Sequence, residues 1–240
     1  MPYLYFAPSG YLYSGYFGYL IWMLPIILLS AIASGAVQSN YNRYSKVLTR
    51  RGITGAQVAE MILHANGIYD VRVTRVSGRL SDHYHPTEKY IGLSDGVFQS
   101  TSVAALGIAA HEAGHAVQYH QSYAPIRFRG AILPVANFAS HASWILIFLG
   151  LVFSDVLALA GILLFAVVVL FQLVTLPVEF NASRRAISVL EQGGYLAEDE
   201  LAGAKKVLKA AAMTYVVALL TSLWQMFRYI LIIFNGRSRR

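Results

Sequence analysis

Four long apolar stretches punctuate the chain. The first, 16–37, carries no charged side chain and is long enough to cross a bilayer, which takes about 20 apolar residues. A tyrosine-rich start (Tyr3, Tyr5, Tyr11, Tyr13, Tyr16 and Tyr19) leads into it, the composition of an interfacial aromatic belt. Ala31-Ile32-Ala33 mimics a signal-peptidase site, but no basic segment precedes the apolar run, so a retained helix is expected. The second and third stretches form one block, 131–178, whose sole ionised residue, Asp155, lies beside Ser154 near the midpoint. That pattern predicts a hairpin of two membrane helices with a tight turn. The fourth, 213–235, is interrupted by Gln225 and Arg228 and is read as a further crossing.

Between these stretches the periodicity changes. Thr54-Gly55-Ala56-Gln57 is a capping box and Asn66-Gly67 a helix stop, which predicts a short helix over 55–65. Residues 70–76 alternate and read as a strand, and 89–98 read as a second. Ser100, Thr101 and Ser102 offer N-caps for a helix that stops before Pro125. Another helix is expected to open at Glu179 and end at Gly193-Gly194. Glu198, Asp199 and Glu200 suit the N-terminal dipole of a last helix that runs on into the final apolar stretch.

Composition agrees with a membrane protein. Charged residues make up 13% of the 240 positions and hydrophobic ones 56%, against roughly 25% charged in soluble domains. The net charge of +7 follows the positive-inside rule more simply than it follows nucleic-acid binding, for which there is no motif. Ten of the Lys and Arg residues lie in 38–130, five in 179–212 and none in the hairpin. The segments flanking the hairpin are therefore placed in the cytoplasm and the Ser154-Asp155 turn outside. With four crossings both termini lie outside, which sets Arg237, Arg239 and Arg240 against the rule. The absence of cysteine excludes disulfide, iron–sulfur and thiol chemistry.

Candidate chemistry sits in the helix that precedes Pro125. Its sequence Ala110-His111-Glu112-Ala113-Gly114-His115 is His-Glu-x-x-His. Positions i and i+4 share a helix face, so His111 and His115 can bind one zinc ion side by side, with Glu112 placed to take a proton from water. The neighbours are Ala, Leu, Ile, Val and Gly, and burying His and Glu among them is costly unless they are paired or bound to metal. The alternative is a set of hydrogen-bonded core histidines. A catalytic zinc needs a third protein ligand and an open position. Asp155 belongs to the far tip of the hairpin, whereas Glu179 stands where the hairpin returns to its starting side, and the topology selects it. Its alternative role is a helix-start carboxylate favoured by the dipole. His83 and His85 could share a strand face as a second metal site, or His83 could stabilise an oxyanion; a structural role is the simpler reading. His64 and His120 lie near helix ends and read as structural, and His141 as a helix-contact histidine. Arg184, Asn181, His83 and a tyrosine are all candidates for oxyanion stabilisation.

Three blocks carry a family resemblance: Ser81-Asp82-His83-Tyr84-His85-Pro86, Ser102 through Ala116, and Leu176-Pro177-Val178-Glu179-Phe180-Asn181-Ala182-Ser183-Arg184-Arg185-Ala186. The chain resembles the membrane-bound neutral zinc metallopeptidases of the YugP type, and more loosely the HtpX/Ste24-like membrane peptidases. The resemblance implies His111, His115 and Glu179 as ligands of one Zn2+ per chain and Glu112 as the general base. The looser relatives often have Asp where this chain has Ser183, a position from which a ligand histidine can be oriented.

The expected fold is mainly α and polytopic, with about four transmembrane helices and a small α+β zincin-like catalytic domain split by a transmembrane hairpin. Its parts are transmembrane helix 1 (16–37), a first peptidase segment (38–130), the hairpin (131–178), a second peptidase segment (179–212) and transmembrane helix 4 (213–235). The expected function is a zinc-dependent endopeptidase of the cell membrane, multi-pass, its active site on the cytoplasmic side. Its partners are the lipid bilayer and polypeptide substrates in unfolded or membrane-proximal segments, consistent with protein quality control. The rivals are a zinc-binding membrane scaffold or adaptor without catalysis, which would share the ligands and not need Glu112, and a metal-gated transporter, for which no inverted repeat is visible. The strand at 89–98 is expected to be the sheet edge that orders substrate by main-chain hydrogen bonds.

Overall fold

The structure, a computed structural model, describes residues 16–237. Tyr3, Tyr5, Tyr11 and Tyr13, assigned to an interfacial belt, lie outside the described residues. The elements are α1 (Tyr16–Tyr44), α2 (Gly55–Ala65), β1 (Arg72–Val76), β2 (His83–His85), β3 (Tyr90–Ser94), α3 (Asp95–Phe98), α4 (Val103–His120), α5 (Ala124–Phe153), α6 (Asp155–Gln192) and α7 (Glu198–Arg237). The chain is mainly helical, and α1, α5, α6 and α7 are each long and apolar enough to cross a membrane.

Local signals set most boundaries. Thr54 and Gln57 form the reciprocal capping box at α2, and the Ser102 hydroxyl accepts from the Ala105 amide at the start of α4. Pro125 stands in the first turn of α5, where its missing N–H costs nothing. Two expectations need correction. Glu179 does not open a helix: α6 runs unbroken from Asp155 to Gln192, with Glu179 well inside it. A dipole-favoured position at a helix start is thus not the reason for this carboxylate. The second predicted strand also divides, into β3 and the short α3.

The sheet has the order β1-β3-β2, with β3 parallel to β1 and antiparallel to β2. β3 is therefore central and paired on both sides, not an edge. Its residues Ile91 and Leu93 are fully buried, because a central strand lies between two neighbours and against a helix layer. The edge strand on the other side, β2, packs against α4.

The long helices form a bundle. Trp22 on α1 stacks on Trp224 of α7 at 4.4 Å, and Tyr41 on α1 clusters with Val207 of α7, so these helices run antiparallel. α5 and α6 form a tight hairpin in which Gly150 lies directly against Ala158. The hairpin turn meets Ile233 near the end of α7. Leu163 and Phe153 project outward and stay exposed, as do Ile32, Phe138 and Trp144. At the opposite end the helices merge with a core built from α2, β3, α4 and the near ends of α6 and α7, including Ile62, Leu93, Leu106, Leu190 and Leu208. α4 lies at its centre. Strand-like bonds from Val47 and Thr49 to Val103 and Thr101 tie its start to the end of α1.

Candidate metal centre

α4 is almost wholly buried, and small residues let its neighbours come close. A side chain on Gly114 would meet the Ala182 carbonyl of α6 at 3.1 Å, and one on Gly107 would meet Ala204 of α7 at 3.4 Å. Two elements, α6 and α7, thus converge on the part of α4 that carries His111, Glu112 and His115.

Glu179 reaches that face from α6. Its Oε2 lies 3.3 Å from His111 Nε2 and 3.6 Å from His115 Nε2. This oxygen is buried and has no hydrogen-bond partner. This oxygen and the two Nε2 atoms therefore face one another, an expensive arrangement unless a shared proton or an ion relieves it. Ligand atoms of a tetrahedral zinc at about 2.0–2.1 Å lie roughly 3.4 Å apart. His111, His115 and Glu179 form a group that could hold one metal ion. Asp155 takes no part: it is 24 positions from Glu179 in the same helix, about 36 Å at 1.5 Å per residue.

The outer nitrogens of both imidazoles are held. His115 Nδ1 donates to Gln118 Oε1 at 2.9 Å. Gln118 cannot present its amide the other way round, because its Nε2 donates to the Val178 carbonyl and to Asn181 Oδ1, both at 2.9 Å. Arg185 Nε in turn donates to Asn181 Oδ1 at 2.7 Å. A proton on Nδ1 leaves Nε2 of a neutral imidazole with its lone pair toward Glu179, the tautomer a metal requires. Ser183 Oγ sits 3.2 Å from His111 Nδ1. Ser183 thus touches His111 directly. Burial pulls the His115 pKa down, but Glu179, Glu112 and Gln118 outweigh it and the net shift is upward.

Beside this group lies a cavity of about 240 Å³. Glu112, His111 and Glu179 line it, together with Tyr215 of α7, Tyr41 of α1 and Asp82 from the loop before β2. Tyr215 shares this cavity with Glu179 and Glu112 and lies near enough to interact with both carboxylates. The sequence reading named a tyrosine without its number; Tyr215 lies in an apolar stretch 100 residues from His115, with no local motif to single it out.

Other candidates stand elsewhere. His83 bonds the Ser81 carbonyl at 2.8 Å and the Tyr90 hydroxyl at 3.1 Å, and His85 stacks on Tyr90. Both are accounted for within the sheet, and neither lines the cavity. Arg184 is exposed; its neighbour Arg185 makes the contact to Asn181. His64 stacks on Tyr69. His141 is exposed and bonds the Asn137 carbonyl of its own helix, so it is not a helix-contact residue. Gln118 was missed by sequence reading, although a buried glutamine three residues after His115 in an apolar helix was the available signal.

Known proteins resemble this chain over most of its length. Residues 19–234 match the family described as "Putative neutral zinc metallopeptidase". The chain is 45% identical over 211 residues to "Putative membrane protease YugP" of Bacillus subtilis (strain 168), an alignment covering 88% of this chain and 94% of that protein. No solved structure matches.

Proposed function

The chain belongs to the neutral zinc metallopeptidase family, and from that premise we propose that it is a zinc-dependent membrane endopeptidase that cuts unfolded or membrane-proximal polypeptide segments. The carrying observation is the buried, unpartnered Glu179 oxygen facing two imidazoles whose outer nitrogens are held.

His111, His115 and Glu179 hold the ion. Zinc, when bound, supplies Lewis acidity toward a carbonyl and lowers the pKa of a water. Glu112, adjacent to His111 on α4 and lining the cavity, accepts the proton of the attacking water and passes it to the leaving amine. Tyr215, which lines the same cavity, donates to the oxygen on which negative charge develops. Gln118, Asn181 and Ser183 keep the imidazoles in register. The presence of a carboxylate at 112 in the cavity favours catalysis over a scaffold that merely retains zinc.

The peptidase unit consists of two segments, 38–130 and 179–212, joined across the α5–α6 hairpin. The abundance of Lys and Arg in those segments and its absence from the hairpin support a site on the cytoplasmic side. Cysteine labelling of intact cells at 155 and 238 tests this: both label if α7 crosses. For the activity, purified protein should carry one zinc per chain and cleave an unfolded protein. Glu112→Gln should keep the zinc and lose about 10²–10⁴-fold in rate. Activity within tenfold of the parent would remove Glu112 from the mechanism.

A further inference from the structure

One carboxylate in the cavity is not used by this mechanism. Asp82 stands in the loop that enters β2 and lines the same space as Glu112 and Tyr215. Both of its oxygens are fixed: Oδ1 accepts from the Ser94 amide at 2.7 Å and Oδ2 from the Ser94 hydroxyl at 3.0 Å. These donors are neutral. Among the described residues no Lys or Arg lies within ion-pair distance of Asp82. The cation nearest in sequence, Arg79, is turned toward the Asn42 side chain and lies over the Tyr41 ring at 5.0 Å. Glu112 and Glu179 face the two imidazoles; the basic group beside Asp82 is the adjacent His83 ring, which is bonded to the Ser81 carbonyl and the Tyr90 hydroxyl.

Between these polar groups the walls are apolar, with Val37, Ile108, Val207 and Ala211 among them. At about 240 Å³ it is smaller than the ~300–1,000 Å³ pockets that enclose whole drug-sized ligands. It therefore suits one side chain. A cavity whose apolar walls stand beside a half-buried carboxylate matches a long basic side chain, which lays an alkyl stem on apolar surface and carries charge at its tip. A half-buried anion whose hydrogen-bond donors are neutral gains most from a charged partner.

We propose that Asp82 is a specificity-determining residue that receives an ammonium or guanidinium group of the substrate. This rests on the peptidase reading above and adds a substrate class to it: segments with Lys or Arg beside the scissile bond. Such residues are abundant at the cytoplasmic ends of membrane-spanning helices, where a membrane-proximal peptidase meets its substrates. The same chemistry could be offered by a free chain amino terminus, and the test separates the two.

Zinc-loaded protein is given fluorogenic peptides identical except at one residue, which is Lys, Arg, norleucine or Glu and is moved across the positions flanking the cut. Each is used with a free and with an acetylated amino terminus. Norleucine has the stem of Lys without its charge. At one position Lys and Arg should exceed norleucine by about ten- to a hundredfold in kcat/KM, with or without acetylation. In Asp82→Asn that ratio should fall to near one. In Ser94→Ala, which loosens the loop and keeps the charge, the ratio should persist. An unchanged ratio in Asp82→Asn overturns the proposal, as does an equal collapse in Ser94→Ala, which would make Asp82 a loop anchor only. Selectivity abolished by acetylation assigns the carboxylate to an amino terminus and overturns the side-chain assignment. Failure to cut any peptide, norleucine included, overturns the peptidase reading itself, and selectivity without cleavage can still be read as peptide binding to Glu112→Gln.

Discussion

α6 is one helix with two opposite designs. In its first half Leu157, Leu159, Leu163, Leu170 and Leu173 are exposed. In its second half Val178, Glu179, Ala182, Ala186 and Leu190 are buried. The first half turns apolar groups outward, and the second turns a carboxylate inward. Both follow from the surroundings. Leucines on an outer face are favourable when the solvent is lipid, and a buried carboxylate is tolerable when it meets a cation. The hairpin end of the bundle is thus built for lipid, and the α4 end is built around a charge.

Breaking the site end should have the largest effect. Tyr215→Phe removes one hydroxyl and should lower kcat by about 10²–10³-fold, as loss of an oxyanion donor does, while KM and zinc content stay unchanged. A parallel loss of zinc would show instead that Tyr215 supports Glu179. Next is a charge on the lipid half of the same helix. Leu163→Arg should cost about 2.5–3.5 kcal/mol of membrane insertion, seen as lost membrane-integrated protein. Glu191→Arg, on an exposed position of the other half, should stay within about 0.5 kcal/mol. Equal effects at the two positions would abolish the contrast between the halves. Gln118→Ala frees the His115 ring and should weaken zinc binding by about 10–100-fold, measured by chelator competition. Ser183→Ala should fall at the lower end of that range.

The smallest effect concerns Asp82. Burial raises its pKa, more than the Ser94 donors lower it. A folded-state pKa above the unfolded one means that the folded chain holds this proton more tightly. The contribution is therefore present below the ordinary carboxylate value and is lost as pH rises through the raised folded value. Asp82→Asn should accordingly raise Tm more at neutral pH than at pH 4. The opposite trend would mean that the carboxylate has a cationic partner in the free protein.

Much was legible in sequence because it rests on local physics. Apolar runs of membrane length, the Thr54–Gln57 box, the Ser102 cap and the i, i+4 histidines all act within a few residues, so the chain itself specifies them. Glu179 was reachable from afar because a two-helix hairpin returns to its start. Other features depended on tertiary contacts. That β3 is central is decided by which strands pair across long separations. That α6 continues through Glu179 is decided by packing that sequence punctuation does not encode. Gln118, Tyr215 and Asp82 come from three separate segments. Tyr215 and Asp82 meet at one cavity while Gln118 holds His115 from outside it, and Gly107 and Gly114 let α7 and α6 press against α4. Sequence alone determined which residues are the candidate metal ligands, since that needs only one helix face and one return point. The tertiary structure decided what surrounds them, because a hydroxyl or a carboxylate acquires its role from neighbours that the chain brings together only on folding.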